Sequence, residues 1–378
     1  MSGDEFLRMG GWPGPEVEAW KYTPLEPWLG PVERVQQERT STVSLDLSCR
    51  SWPSQGLTVH PLTSLDESGP DAFQAAAQAL HRGGVSIQVP AGYQSHEPVD
   101  LSLIGQVGPG LHGINDRIHV GAGARLRLVQ EIHPTLDGPS IPTAKPLALA
   151  TLLNLQITLD EGAELEIIRW IRSNEATGVL CQTQIEQAQG SQVHVYTLAQ
   201  GNGLIRHQIL AHQEGDDAYT GLYGLTWATQ GGHADQYSRI RHHALRGQSH
   251  QHYKAVAAPA SSTVFNGVLR VELDAQETNA FQKSSNLMLD LPGRGLPSGK
   301  VHAKPELQIL ADNVRCSHGA TMGKLQEDAV FYLRSRGIQD DEARRILTLA
   351  FAMEIVDKVP DESIRSRMQA ALEAMPTH

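Results

Sequence analysis

The 378-residue sequence predicts a mainly β fold, a long strand-rich core held between helical ends. Three observations carry this prediction. From about Val85 to His318 the apolar residues recur at every second position, as in Ile118, Val120, Ala122, Ala124, Leu126 and Leu128, or Leu153, Leu155, Ile157 and Leu159. This is the period of a strand with one buried face. The stretches Gly123-Ala-Arg-Leu-Arg-Leu128, Gly162-Ala-Glu-Leu-Glu-Ile167 and Gly190-Ser-Gln-Val-His-Val195 repeat one pattern: a glycine, a small residue, then alternating aliphatics. After Gly323 the apolar spacing changes to that of a helix.

Taken in order, residues 1–84 form an N-terminal region whose clearest element is an Ala-rich helix over 71–81, ending at Gly83-Gly84, where glycine can supply a left-handed cap. Residues 85–319 are the β core. Each glycine pattern reads as a tight corner entering a short strand, and such a unit buries its apolar face only by stacking on others, as in a solenoid. A β-sandwich with glycine turns leaves a similar trace, and the spacings of 39 and then 28 residues are irregular. The periodicity therefore establishes strands and only tilts toward a solenoid. Residues 320–378 are helical: Leu325 to Arg336 ends at Gly337, Asp340 or Asp341 opens a helix carrying Ile346, Leu347, Ala350, Ile355 and Val356, and Asp361 caps a third with Ile364, Met368, Ala371, Leu372 and Met375. Amphipathic faces of this kind more often pack on their own domain than on a partner.

Composition narrows the function. Forty-two acids against 31 Lys and Arg give a net charge of −11, so the chain gains nothing by approaching nucleic acid or an anionic membrane surface. Cys49, Cys181 and Cys316 form no CxxC pair, which argues against a disulfide framework or zinc ribbon and for a reducing, cytoplasmic setting. The best apolar segment, Leu147 to Leu159, is interrupted by Thr151, Asn154, Gln156 and Thr158, and neither a signal peptide nor a membrane span is expected.

The usual catalytic signatures are absent. Around Gly293 to Lys300 the first glycine sits one residue too far from Gly299, and Val301 replaces the hydroxyl residue that holds magnesium in a phosphate loop. HExxH, GxSxG and GxGxxG do not occur. Histidine is in surplus at 17 copies, with His242, His243, His250 and His252 clustered and His302 and His318 further on. No carboxylate stands at ligand spacing in that cluster, so its members are read as polar side chains on the solvent face of strands. Cys316-Ser317-His318 is sharper. In an extended segment Cys316 and His318 point to one side, about 6.6 Å apart, close enough to serve one metal ion or two irons of a cluster. They make at most half a site. Cys316 is equally a small buried hydrophobe, with His318 a strand-end residue before the turn at Gly319.

Lys304-Pro-Glu-Leu-Gln-Ile309, Ala311 to Thr321 (ADNVRCSHGAT) and Val330 to Gly337 (VFYLRSRG) resemble the SufB/SufD family of iron–sulphur cluster assembly, on its SufD branch. Trp20 to Leu25 (WKYTPL), Val89-Pro-Ala-Gly92, Tyr253-Lys254, Val264-Phe-Asn-Gly267 and Asn286-Leu-Met-Leu289 extend the resemblance over nearly the whole chain. It implies a right-handed parallel β-helix core. It also implies pairing with SufB through late β-helix strands and docking of the ATPase SufC on the C-terminal helices, for which Phe331, Tyr332, Arg336, Ile346, Leu347 and Ala350 are the candidates. By the same resemblance His318 is the residue at the SufB interface where iron or a nascent cluster is held, with Cys316 beside it as ligand or core residue. No cofactor is expected to stay tightly bound to the isolated chain, and no flavin site is assigned. Ser284 stands where SufB has a functional cysteine and Gly319 where it has a glutamate. Only a short segment precedes Trp12-Pro13, where longer relatives have a helical stretch.

The expectation is a non-catalytic scaffold subunit, with ATP hydrolysis in SufC and with homodimer pairing when SufB is absent. Two other classes compete: a β-helix enzyme acting on polysaccharide, and a His-rich metal-binding protein.

Overall fold

The computed structural model describes residues 12–13, 17–30, 50–53, 56–62, 72–136, 147–290 and 295–375. Cys49 and the Gly293-Arg294 end of the phosphate-loop-like stretch lie outside them. The strands wind as a parallel β-solenoid of about 7 turns, each turn giving one strand to each of two sheets. The first sheet stacks Gly110–Val120, Leu149–Leu159, Thr177–Gln187, Leu204–Gln213, His233–His242, Ser262–Val271 and Lys300–Ile309. The second stacks Arg125–Leu136, Glu164–Ser173, Gln192–Gly201, Tyr219–Ala228, Gln248–Ala257, Asn279–Met288 and Arg315–Gly323. Of the two architectures that alternation left open, the solenoid is the one formed.

Parallel register makes every inward row a column of like residues. Ile118, Ile157, Ile185, Ala211, Ile240, Leu269 and Leu307 follow one another across the first sheet. All but the last are buried, and full burial of each large aliphatic side chain contributes about 1.5–3 kcal/mol. Leu307 is partly buried because no further turn covers it among the described residues.

The corners show where the glycine pattern holds and where it stops. Gly123, Gly162 and Gly190 all have φ between 62° and 65°, with Ala124, Ala163 and Ser191 buried behind them. The next corners keep the left-handed turn but not the glycine: Asp217, Arg246 and Glu277 have φ of 60°, 56° and 62°. The repeat continues while its most visible letter is lost.

Strands begin earlier and end later than 85–319. Thr58–Pro61 pairs antiparallel with Val85–Val89, His81–Gly83 is a strand, and the last strand reaches Gly323. The N-terminal helix is Ala72–Ala79, not a helix capped at Gly83-Gly84. A Cβ on Gly84 would lie 1.6 Å from the Asn115 carbonyl oxygen, so this glycine serves close backbone approach rather than a cap. That helix packs with Trp12, Trp20, Leu25 and Leu29 over Leu111, Leu152, Leu180 and Leu204 on the outer face of the first sheet.

Three helices follow the solenoid: Glu327–Ser335, Asp340–Val356 and Glu362–Glu373. Gly337, at φ 89°, ends the first, and the Asp361 carboxylate accepts from the Ile364 N–H to cap the third. Ala352, Ile355, Val356, Ile364, Met368 and Leu372 cover Ile168, Trp170, Leu198, Leu225, Trp227 and Val256 on the outer face of the second sheet. No helix among the described residues is long and apolar enough to cross a membrane.

Candidate functional site

The last strand of each sheet has a protein neighbour on one side only among the described residues. Arg315–Gly323 is therefore exposed almost throughout, although its register continues that of the buried strand before it. Cys316, His318, Ala320 and Met322 continue the inward row of Ala280, Gln282, Ser284 and Asn286. Cys316 and His318 do share one side, as an extended segment requires. Their surroundings differ. Cys316 is half-buried against the end of the core, and burial raises its thiol pKa. His318 is exposed on the rim. On the last strands and the strand before them Phe281, Ile309 with the adjoining Leu310, and Met322 also remain exposed, Met322 by 58%.

Behind His318 the lumen is polar, a feature not anticipated from the motifs. Arg169 is buried and donates to Gln130 Oε1 at 2.9 and 2.5 Å and to Thr183 Oγ1 at 2.8 Å. It also donates to His207 Nε2 at 2.5 Å, which leaves the His207 Nδ1–H to donate to Gln236 Oε1 at 2.7 Å. Desolvation, reinforced by Arg169, pulls the His207 pKa down to about 3, so the ring is neutral. Nearer the open end Ser238 and Gln282 both donate to Gln251 Oε1, and Gln282 lies opposite His318 in the ladder. The sequence carries a signal for this column: Arg169 and His207 occupy inward positions in strands whose other inward residues are mostly aliphatic. Cys181 sits beside Arg169, its thiol pushed up to about 12 by burial, and is an inert core residue.

The clustered histidines do not converge, and two of them are not on a solvent face. His242 is buried with its Nε2 3.0 Å from Ser249 Oγ, and desolvation lowers its pKa to about 4. His252 lies beneath the Asp340–Val356 helix, 3.6 Å from Glu354. His250 tilts against Tyr223, and His243 stands beside His212. The solvent-face reading failed there because buried polar rows share the period of exposed ones.

On the C-terminal helices Phe331 and Tyr332 are 70% and 56% exposed, Ile346, Ala350 and Arg336 are exposed, and Leu347 is half-buried. Arg336 donates to the Tyr332 hydroxyl at 3.0 Å. Arg344 binds Glu327 and Asp340, which fixes the first of these helices on the second. Gly319, where a Cβ would meet open space, leaves the rim next to His318 uncrowded, and Ser284 is buried.

These features define a class: a parallel β-solenoid with helices docked on both outer faces and an uncovered end that presents a histidine. The profile of the family described as SUF system FeS cluster assembly, SufBD core domain, matches residues 112–351, well over half of the chain, and the chain belongs to that family. It is 29% identical over 337 residues to an iron–sulphur cluster assembly SufBD family protein of Synechocystis, covering 87% of this chain and 73% of the relative. Against the iron–sulphur cluster assembly protein SufD of Escherichia coli it is 24% identical over 390 residues, covering 96% and 89%. The SufD of Bacillus subtilis is 30% identical over 157 residues, 40% of this chain and 35% of that one.

Proposed function

We propose that this chain is a SufD-like scaffold subunit that pairs with SufB through its open solenoid end and docks the ATPase SufC on its C-terminal helices. In this reading iron or a nascent iron–sulphur cluster is the cargo, held between subunits with His318 as this chain's ligand and Cys316 beside it. The observation that carries the reading is His318 itself, exposed on the inward row of a strand whose outer edge has no partner among the described residues. An uncovered parallel edge offers unpaired N–H and C=O groups that a second solenoid can extend. The exposed Phe331 and Tyr332 face suits a second partner. ATP hydrolysis then belongs to SufC, the chain has no catalytic residues of its own, and the complex works in the cytoplasm.

The test is co-expression with SufB and SufC, comparing wild type with His318→Ala. The reading expects an intact ternary complex in both and loss of cluster absorption in the variant. Equal cluster yields would move the chemistry wholly onto SufB, and failure of the wild-type chain to co-purify would reject the scaffold assignment.

A further inference from the structure

The solenoid brings a second set of donors together far from the rim. The strand Leu204–Gln213 ends with His212-Gln213 and is followed by Glu214, and the strand His233–His242 is followed by His243. Parallel register pairs Gln213 with His242, and the His243 N–H donates to the Gln213 carbonyl at 3.0 Å, so the two strand exits lie side by side. The donor atoms of His212, Glu214 and His243 all lie within 4.8 Å of one another. His212 Nδ1 is 3.9 Å and His243 Nε2 is 3.4 Å from the Glu214 carboxylate. The imidazole rings stack at 5.9 Å with an interplanar angle of 19°.

His243 Nε2 is a buried atom without a hydrogen-bond partner, despite its nearness to Glu214. A buried ring nitrogen without a partner calls for a group that can bond to it. We propose that His212, Glu214 and His243 form a binding site for a divalent first-row transition cation. Two imidazoles and one carboxylate suit zinc, cobalt or ferrous ions and disfavour magnesium and calcium, which take oxygen ligands. Donors bound to such an ion at about 2.0–2.2 Å stand roughly 3–3.5 Å apart, so the set must contract slightly. Glu214 is on an exposed turn and can make that movement, while the two histidines sit at the ends of paired strands. With three protein ligands, the remaining coordination positions face water. Arg239 and Arg241 oppose a cation here. Glu272 engages Arg241, and the Glu214 carboxylate supplies the anionic ligand that offsets the remaining charge.

The site lies on the first sheet, two turns in from its last strand, and is independent of any role for His318. The experiment is titration of untagged, chelator-treated full-length chain with Co2+ alone, read by visible d–d absorption, with Zn2+ as competitor. The expected result is one equivalent of Co2+ displaced by Zn2+, with binding weakened about a hundredfold or more in His212→Ala and His243→Ala and at least about tenfold in Glu214→Gln. His318→Ala should bind as wild type. In the wild-type chain, bound Co2+ should broaden the ring signals of His212 and His243 and leave those of His318 unchanged, a readout that needs no variant to fold. Absence of Co2+ bands in the wild type, broadening confined to His318, or equal binding by the folded His212→Ala and His243→Ala proteins would overturn the assignment.

Discussion

Gln282 and His318 stand opposite each other in the last parallel ladder, one buried in the lumen and the other open to solvent. The same inward row thus passes from a hydrogen-bonded polar column to a rim with no further turn over it among the described residues. Its physical content is a set of polar groups whose covering layer has to come from another chain, or remain water.

Folding stability should fall as pH drops from about 6.5 toward 4. His207 has a folded pKa near 3, below that of an unfolded histidine, so the unfolded chain binds more protons across this window and acid favours it. The stabilisation is full above the unfolded value and is lost as pH falls toward the folded one. His242, lowered to about 4, adds in the same direction. Urea unfolding of His207→Gln across this range should show a slope shallower by up to about 1.4 kcal/mol per pH unit, one proton's worth. An unchanged slope would show that His207 is not buried neutral.

Two glycines should respond oppositely to alanine. A Cβ at Gly203 would lie 2.1 Å from the Asn174 carbonyl oxygen and 2.3 Å from that of Thr177, backbone atoms that cannot retreat without opening a corner. Gly203→Ala should cost about 1–3 kcal/mol, the usual range for overpacking. Gly319→Ala meets open space and should stay within about 0.5 kcal/mol of wild type. Thermal unfolding of the pair checks both.

The C-terminal helices have one face packed on the second sheet and another left exposed, so stability and the proposed docking can be tested separately. Met368 is buried over the second sheet, and Met368→Ala should cost about 2–5 kcal/mol. Phe331→Ala with Tyr332→Ala removes exposed rings and should leave stability within about 1 kcal/mol while abolishing SufC capture in a pull-down. Retained capture by that double variant would reject the docking face. Deleting residues 324–378 is a poorer test, because it would strip the cover from Trp170 and Trp227.

Isolated chain should self-associate through its open end. A concentration-dependent dimer in sedimentation should disappear in Ala320→Pro. The Arg315 N–H donates to the Thr278 carbonyl beside the preceding strand, so the N–H groups of the alternate residues, Ala320 among them, face the open edge, and proline removes one of these. A dimer that survives this change would place the contact elsewhere.

Strands, helices and the sharpest motif were legible in the sequence because each depends on local chemistry. Alternation marked strands such as Leu149–Leu159, Asp361 marked a helix start, and Cys316-Ser317-His318 set two donors on one side of one strand. The glycine corners were legible only until Asp217, Arg246 and Glu277 took the same left-handed turn without glycine. Alternation reports that one face differs from the other, not which sheet, turn or depth that face meets. Only the winding of the solenoid decided that Arg169 and His207 meet in the lumen, that His242 is buried while His318 is exposed, and that His212 and Glu214 come against His243. Those pairings join residues about one turn of the solenoid apart or more, where stacking register rather than sequence neighbourhood sets what touches what.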